Sequence, residues 1–447
     1  MTSSDNKDKI ISNLEDQVRL LDSTIARLSL ENKRLKISKA YRLSKAIQSS
    51  YGKVHHSIPA RAVRKAGRIA VKSVNKNRPP VNQIVFDCYN YDLTKHSQKI
   101  KIGIICKSAP VRPQSSAFIR LISPLTTPFT ASKVSIRLFD GESASKNYFE
   151  EDIDLFIVQR TAFPSIASAQ LFLDGLRQHN IPLVVDIDDA ISLLDKNHVE
   201  YSVQEPSIEA MELIISNANQ VWCSTNAIAS LCKPLNKNVV IIENTLDPRT
   251  WDYSKKQNNR DSQPLQIIYM GTVTHQSDFN MIVAALDRTY ALRPRSFELT
   301  VIGVSDALPQ RPYIKCIRLL PHESVYPKFT RWFSELPAFD IGLSPLEDTP
   351  FNNAKSDIKC LDYLALGIIP VVSNLLPYDA SPVHKYSILS DNTVSSWTDC
   401  LIRLVADKEY LKTQREKALE GQGYVWSMRT STRAAEQMHE LIKELLE

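Results

Sequence analysis

The chain has 447 residues, of which 43% are hydrophobic and 23% charged, and it carries a net charge of +6. This length predicts two domains, each with a sizeable core. No apolar run reaches the roughly 18 residues of a membrane span, and the polar N-terminus excludes a signal peptide. The seven cysteines include no Cys-x-x-Cys pair, which indicates reduced thiols in a cytoplasm and no metal cluster.

Residues 1–48 are predicted to form an N-terminal coiled coil that makes the protein a homo-oligomer. Residues 11–35 carry apolar residues at alternating steps of three and four, which is an a/d seam, and the polar Asn32 at an a position could fix the register. The seam consists of Ile11, Leu14, Val18, Leu21, Ile25, Leu28, Asn32 and Leu35. A single amphipathic helix packed on the body of the protein is the alternative interpretation.

The positive charge comes from one segment, residues 32–86, which contains 14 Lys or Arg residues and no Asp or Glu. Within the basic linker, residues 49–98, a basic amphipathic helix is predicted around Val63 and Val74, and such a helix suits an anionic membrane surface. Nucleic acid is disfavoured because aromatic residues for base stacking are scarce there. We therefore predict a cytoplasmic protein at the inner face of the plasma membrane, and a solvated basic linker is the alternative.

From residue 99 onward, apolar runs alternate with helical patterns in two successive blocks, residues 99–250 and 262–425, joined by a polar stretch. Runs rich in β-branched residues between helices are typical of a parallel sheet covered on both faces. The predicted strands are 102–106, 134–139, 155–159, 183–187, 221–223 and 239–243 in the first block, and 266–270, 298–303, 314–319, 340–343, 368–372 and 386–389 in the second. The sequence thus predicts an α/β protein with two Rossmann-like doubly wound domains and a cleft between them, followed by an amphipathic helix at 426–447.

One stretch, residues 350–379, is especially informative about ligand binding. We predict a helix that carries Lys355 and Lys359 one turn apart and that ends at Gly367, followed by a buried strand. The helix starts at the carboxyl edge of the sheet, where open α/β folds bind ligands. Two amines and the hydroxyl of Ser356 at a helix start suit an anion. The alternative is a pair of solvated surface lysines.

The turn after the first strand of the second block is a further candidate for phosphate binding. Gly271 would let the backbone approach a phosphate, and the hydroxyls of Thr272 and Thr274 would add donors. His275 and Asp278 follow in the same turn. A plain tight turn, with His275 capping the next helix, is the alternative.

Acidic residues end a strand of the first block, where Asp188 and Asp189 follow Asp186. Carboxylates this close repel one another unless a function or a partner requires them, and either Asp188 or Asp189 could serve as a general base. Helix capping is an equally weighted alternative. Arg120 and Arg160 also fall at strand or helix ends of this block, where they could contact an acceptor or a phosphate, or form structural ion pairs.

The 350–379 stretch resembles the nucleotide-sugar site of GT-B glycosyltransferases near glycosyltransferase family 4. In that family a Lys-Ser-x-x-Lys-x-x-Glu-Tyr-x-x-x-Gly-x-Pro-Val-Val pattern is common. The matching residues here are Lys355, Ser356, Lys359, Asp362, Tyr363, Gly367, Pro370, Val371 and Val372. This chain departs from the family at two places, since it has Ala354 where the family often has a first acid, and Ile369 is an extra residue between Gly367 and Pro370. The turn with Gly271, His275 and Asp278 and the acids at 186–189 are also similar to family segments, and 426–447 resembles the helix that crosses back to the first domain.

The resemblance implies that residues 99–250 form an acceptor domain and residues 262–425 a nucleotide-sugar domain. It implies sugar transfer from a nucleotide diphosphate sugar to a glycan or lipid-linked acceptor in bacterial surface polysaccharide synthesis, without a metal or cofactor. The catalytic candidates are Asp188, Asp189 and His275. The donor-binding candidates are Gly271, Thr272, Thr274, Asp278, Lys355, Ser356, Lys359 and Asp362. A non-catalytic GT-B scaffold organised by its coiled coil is the main alternative, and a sugar-nucleotide epimerase is a third.

Overall fold

The computed structural model describes residues 99–109, 112–141, 148–150, 152–198, 200–252, 264–304, 310–320 and 323–447. The chain divides into two units, Met1–Pro80 and Val81–Glu447, and all the described residues belong to the second. The predicted coiled coil, the basic segment 32–86 and most of the polar stretch between the two blocks lie outside the described residues. Those predictions therefore stay predictions.

Two parallel six-stranded sheets form the framework of the described part. The strands of the first are β1 (Ile100–Ile105), β2 (Val134–Phe139), β3 (Leu155–Gln159), β4 (Leu183–Ile187), β5 (Gln220–Cys223) and β6 (Val239–Ile241), in the order β2-β1-β3-β4-β5-β6. Those of the second are β7 (Leu265–Met270), β8 (Phe297–Ile302), β9 (Ile314–Ile317), β10 (Ile341–Ser344), β11 (Ile369–Ser373) and β12 (Ile388–Ser390), in the order β12-β11-β10-β7-β8-β9. The fold class predicted from the sequence is thus confirmed for this part of the chain.

Helices cover both sheets. In the first half they are α1 (Ser115–Ala117), which continues through a π-helical turn, Phe118–Ile122, into α2 (Ser123–Leu125), then α3 (Pro128–Ala131), α4 (Ile166–His179), α5 (Tyr201–Asn217) and α6 (Asn226–Cys232). In the second half they are α7 (Gln276–Leu292), α8 (Tyr326–Glu335), α9 (Pro350–Asn353), α10 (Ile358–Leu364), α11 (Leu376–Asp379), α12 (Val394–Ala406), α13 (Lys408–Met428) and α14 (Ser431–Leu446). None of the helices in the described ranges is both long and apolar enough to span a bilayer.

The central strands of each sheet are buried on both faces, which explains why they read as nearly continuous apolar runs. One large core surrounds the second sheet and includes Ile268, Leu343 and Val371, all fully buried. Two cores lie on the faces of the first sheet. One of these includes Ala434, Met438 and Ile442 of α14, so the C-terminal helix packs against the first sheet.

Two local predictions need correction. The last helix begins at Ser431 and not at residue 426, because the helical conformation is interrupted at Arg429 and Thr430. There, Thr430 forms a β-bridge with Leu246. Lys355 does not share a helix with Lys359, since it lies in the loop between α9 and α10. The predicted helix end at Gly367 is confirmed, because its φ of 68° is in the left-handed region.

Candidate active site

The two sheets face each other across a cleft of about 1520 Å³ lined by loops from both halves. In the second sheet the strand order reverses between β7 and β10, and in the first it reverses between β1 and β3. Loops that follow these strands diverge at such a switch point and leave a crevice at the carboxyl edge. The topology therefore brings the loops after β3, β4, β7 and β10 to one place.

Lys359, in the first turn of α10, is the most unusual group in the cleft. Its ammonium nitrogen is buried and has no hydrogen-bond partner in the described structure, although the residue lines the cleft. Burial lowers its pKa to about 8, with Lys355 contributing in the same direction and Asp278 and Asp362 opposing. The ring of Tyr269 lies 5.4 Å from the nitrogen. A buried ammonium without an acceptor is costly, so this site is suited to an anionic ligand.

The loop before α10 brings a second lysine and a hydroxyl into the cleft. Lys355 lines the cleft, with its nitrogen 4.6 Å from the centre of the Phe351 ring. The Ser356 hydroxyl accepts a hydrogen bond of 2.7 Å from the Asn244 amide on the first half. Asp357 begins α10 and is bound by the Arg429 guanidinium at 2.9 Å. Contacts with other parts of the fold therefore fix Ser356 and Asp357 in this loop, whereas the sequence predicted that one helix would carry both lysines.

The turn after β7 places a histidine and an aspartate beside Lys359. His275 Nδ1 lies 2.7 Å from Asp278 Oδ2. The charge of Lys359, together with burial, lowers the pKa of His275 to about 4 despite the hydrogen bond to Asp278. Because an ionised carboxylate only accepts, the neutral ring donates from Nδ1 and keeps Nε2 as an acceptor. His275 is the N-cap residue of α7, but its side chain makes no capping hydrogen bond.

Gly271, Thr272 and Thr274 complete this turn. A Cβ on Gly271 would lie 3.1 Å from the Cβ of His275, so glycine makes room for the histidine. The Thr272 and Thr274 hydroxyls are 2.6 Å apart, and both residues line the cleft. The N-terminus of α7 begins at Gln276 in the same place, where its free amides favour negative charge.

On the opposite wall, Arg160 holds the two predicted acids. Its Nε lies 2.9 Å from Asp188 Oδ1, without the alignment of a hydrogen bond, and its Nη1 donates to Asp189 Oδ2 at 2.6 Å. Burial raises the pKa of Asp188 to about 6, although Arg160 opposes the shift. Neither acid caps a helix, since the following turn, Ile191–Leu193, starts at Ala190 without a side-chain cap. The acids are thus an ion-paired cluster at the cleft.

Two predicted site residues lie behind the cleft surface. Arg120 is 2% exposed and binds Asp186 Oδ1 through Nη2 at 2.6 Å. Its Nη1 also donates to the Ile242 carbonyl and to Asn244, so the guanidinium is committed to the protein. Asp362 points into the interior with Oδ1 unpartnered, and burial raises its pKa well above the usual value. The structure therefore gives both residues internal surroundings.

Several residues of the cleft were not predicted from the sequence. Asn352 and the backbone amide of Glu347 both donate to Asp278 Oδ1, at 3.3 and 2.8 Å. Burial raises the pKa of Asp278, but the hydrogen bonds with His275 and with the Glu347 amide lower it, and the net shift is downward. Arg112 donates to the Ser324 hydroxyl across the cleft. Arg112 and Glu347 lie in loops that follow strands, which was a usable signal, but no sequence motif marked any of these residues.

Comparisons with known proteins support the fold. No protein-family model matches the chain, and no curated protein sequence matches it. Among solved structures, starch synthase IV from Arabidopsis thaliana, bound to ADP and acarbose, is similar with a TM-score of 0.55 and 11% identity over 78% of this chain and 100% of that one. HepE from Anabaena, in complex with UDP and glucose, has a TM-score of 0.54 and 10% identity over 77% of this chain and 100% of that one.

A glycosyltransferase from Rickettsia africae is similar at a TM-score of 0.53 and 10% identity, over 79% of this chain and 100% of that one. At such low identities the likeness establishes the fold alone. The described part of the chain therefore has the GT-B fold predicted from the sequence, and its assignment to glycosyltransferase family 4 stays a prediction.

Proposed function

We propose that the protein is a glycosyltransferase that takes a sugar from a nucleotide diphosphate sugar. The observation that carries the proposal is the buried, unpartnered ammonium of Lys359 in a cleft between two Rossmann-like domains. A diphosphate would supply the missing acceptor, with Lys355 and the N-terminus of α7 beside it. That similar folds were solved with UDP and ADP supports this class of ligand.

In the proposed reaction, the bond between the anomeric carbon and the diphosphate oxygen breaks, and the electron pair leaves with the diphosphate. Lys359 and Lys355 stabilise the charge that develops there, which needs no metal ion. The acceptor oxygen bonds to the anomeric carbon, and its proton passes to Asp188, whose raised pKa, about 6, suits a general base at neutral pH. Asp189 is the second candidate for this role.

The acceptor is proposed to be a glycan or lipid-linked glycan of bacterial surface polysaccharide synthesis, reached at the inner face of the plasma membrane. The volume of the cleft, about 1520 Å³, and its polar side chains on the first half, including Gln114, Asn197 and Gln204, support a sugar-like acceptor. A scaffold that binds the nucleotide sugar without turnover is the competing proposal, supported by Ala354 at the position of the family's first acid.

The test is a thermal-shift panel of UDP, ADP, GDP and their sugars, followed by a transfer assay with the stabilising donor. A ligand at 100 times its Kd should stabilise the fold by about 2.7 kcal/mol. Lys359→Ala should reduce transfer by roughly thirty- to a thousand-fold, because a charged donor is lost in a partly dry site. Lys417→Ala, an exposed lysine on α13, is the matched control.

The outcomes separate the proposals. Stabilisation by a nucleotide with no transfer or hydrolysis would favour the scaffold. Product without any acceptor would favour an epimerase. If no nucleotide stabilises the protein, or if Lys359→Ala behaves like Lys417→Ala, the donor site is wrongly placed.

A further inference from the structure

We propose that Arg160 is a positioning residue that holds Asp188 and Asp189 in the ionised arrangement required for proton transfer, and that it is not a ligand of acceptor or donor phosphate. This inference rests on the proposed function, because it gives the Asp188 carboxylate the role of base. It differs from the interpretation of Arg160 from the sequence alone, which left phosphate contact open.

The first support is that most of the guanidinium is already engaged by oxygen atoms of the protein. Nε contacts Asp188, Nη1 donates to Asp189, and Nη2 donates to Gln114 Oε1 at 3.0 Å and Ser116 Oγ at 2.7 Å. Each of the three nitrogens already has an oxygen partner, and the side chain is only 14% exposed. A phosphate that bound this guanidinium at two points, as Arg usually binds phosphate, would have to displace at least one of these partners.

The second support is the backbone. Arg160 has a φ of 43°, in the left-handed region that residues with a Cβ rarely adopt. Its amide donates to the Asp186 carbonyl at 3.0 Å, and β3 pairs with β4 so that Gln159 lies opposite Asp186. The chain therefore turns sharply at the end of β3 and directs the side chain over the acids that follow β4. Backbone strain that side-chain contacts maintain in this way is a feature of functional sites.

The third support is the charge balance. The groups that act on Asp188 are Arg160 and Arg120, which favour its ionised form, and Asp189 and Asp186, which oppose it. Arg120 is bonded to Asp186, so Arg160 is the cation that remains for Asp188 and Asp189. Glu200 also faces Arg160. Without Arg160, two carboxylates would lie side by side uncompensated, and one would stay protonated at neutral pH.

The experiment compares Arg160→Gln and Arg160→Lys with Arg177→Gln, an exposed arginine of α4 that pairs with Asp174. Because Asp188 must be deprotonated to accept a proton, we expect the acid limb of the kcat/KM profile near pH 6 to move upward by about two pH units in Arg160→Gln. Transfer at pH 7 should fall about tenfold and recover toward pH 8.5. Arg160→Lys should shift the limb less, and Arg177→Gln should not shift it.

Other outcomes overturn the proposal. A loss of transfer that is equal at every pH and follows a lower Tm would mean a purely structural role. A weaker affinity for UDP, or a raised KM with an unmoved acid limb, would mean that Arg160 contacts a substrate. If the wild-type protein transfers no sugar, the proposed function fails separately. Carbon-13 NMR of labelled aspartates in the intact protein then still tests the positioning role, since an unchanged Asp188 titration in Arg160→Gln would contradict it.

Discussion

The pKa of Lys359 is low for a lysine because its buried position disfavours the positive charge. A bound diphosphate would compensate that charge. The pKa of Lys359, about 8, lies below the ordinary value of 10.5, mainly through burial. The ligand-free protein therefore loses this proton as the pH rises through 8, whereas a bound diphosphate favours the protonated amine. Proton and ligand binding at this residue are consequently linked.

We predict that UDP affinity falls by roughly eightfold between pH 7.5 and pH 9, following the fraction of protonated Lys359. Isothermal titration of UDP across this range measures the effect. Lys359→Met should bind more weakly at pH 7.5 and show a flat profile. A wild-type affinity that does not change between these two pH values would exclude Lys359 as a ligand of the diphosphate.

Ala354 shows what a residue-by-residue resemblance could not reveal. The absence of the family's first acid could be seen in the sequence, but the structural reason for an alanine at this position could not. Ala354 is 3% exposed and belongs to a core of the first half, and its carbonyl accepts a hydrogen bond of 3.0 Å from the Thr225 hydroxyl. A carboxylate here would be buried among apolar groups at a large cost. The position therefore serves contact between the two halves.

At the scale of elements, the C-terminal helices α13 and α14 are connected to the loop that precedes α10 through Arg429. Arg429, which is 3% exposed between the two helices, bonds both oxygens of Asp357 at 2.9 Å. It also donates to the Asn244 carbonyl through Nε and Nη2. Asp357 accepts a further bond of 2.6 Å from the Ser381 hydroxyl. One buried ion pair thus fixes the start of α10 immediately before Lys359.

We predict that Arg429→Met destabilises the protein by about 3 to 5 kcal/mol, because it leaves the Asp357 carboxylate buried and uncompensated. Denaturant unfolding of the second unit in the full chain measures this. The double variant Arg429→Met with Asp357→Leu should recover part of the loss, since it removes both charges. Arg433→Met, an exposed position on α14, is the control, and an equal effect there would contradict the prediction.

The strands could be predicted from the sequence much better than the helices around the site. Mostly apolar runs such as residues 155–159 and 183–187 have their predicted bounds, because burial on both faces leaves few polar positions within them, here Gln159 and Asp186. The helix expected to carry Lys355 and Lys359 is interrupted, because Asp357 binds a residue 72 positions away in the chain. Likewise, the last helix starts late because Arg429 is held by that contact. Local periodicity contains no information about such partners.

At the scale of the whole second unit, a few contacts across the cleft join loops of the two halves, in addition to α14, which packs against the first sheet. Thr225 bonds to Ala354, Asn244 bonds to Ser356, and Arg112 bonds to Ser324. The two-domain arrangement could be predicted from two blocks of alternating elements. These contacts could not, because each joins residues more than 100 positions apart. They place the acid cluster and the lysines on the walls of one cleft, which is the arrangement that sugar transfer between two substrates requires.

The last prediction concerns residues 32–86, whose 14 cations without a single acid would bring this cleft to an anionic membrane. Each cation near such a surface contributes about 1 kcal/mol, and the attraction is screened by salt. We expect the full chain to float with liposomes containing phosphatidylserine at 50 mM salt and to bind them much less at 300 mM salt. It should not float with liposomes of neutral phosphatidylcholine. Glutamine in place of four basic residues should weaken binding at least tenfold. The four are Arg64, Lys65, Arg68 and Lys72.

In the matched control variant, four exposed lysines of the second unit are substituted instead, so that both variants lose the same amount of positive charge. They are Lys385, Lys408, Lys412 and Lys417. Because the prediction assigns membrane attraction to a local cluster and not to net charge, this control should float like the wild-type protein. Equal losses in the two variants would mean that overall charge drives the binding. Flotation that is independent of both salt and anionic lipid would contradict the prediction and favour the alternative that the basic segment is a solvated linker.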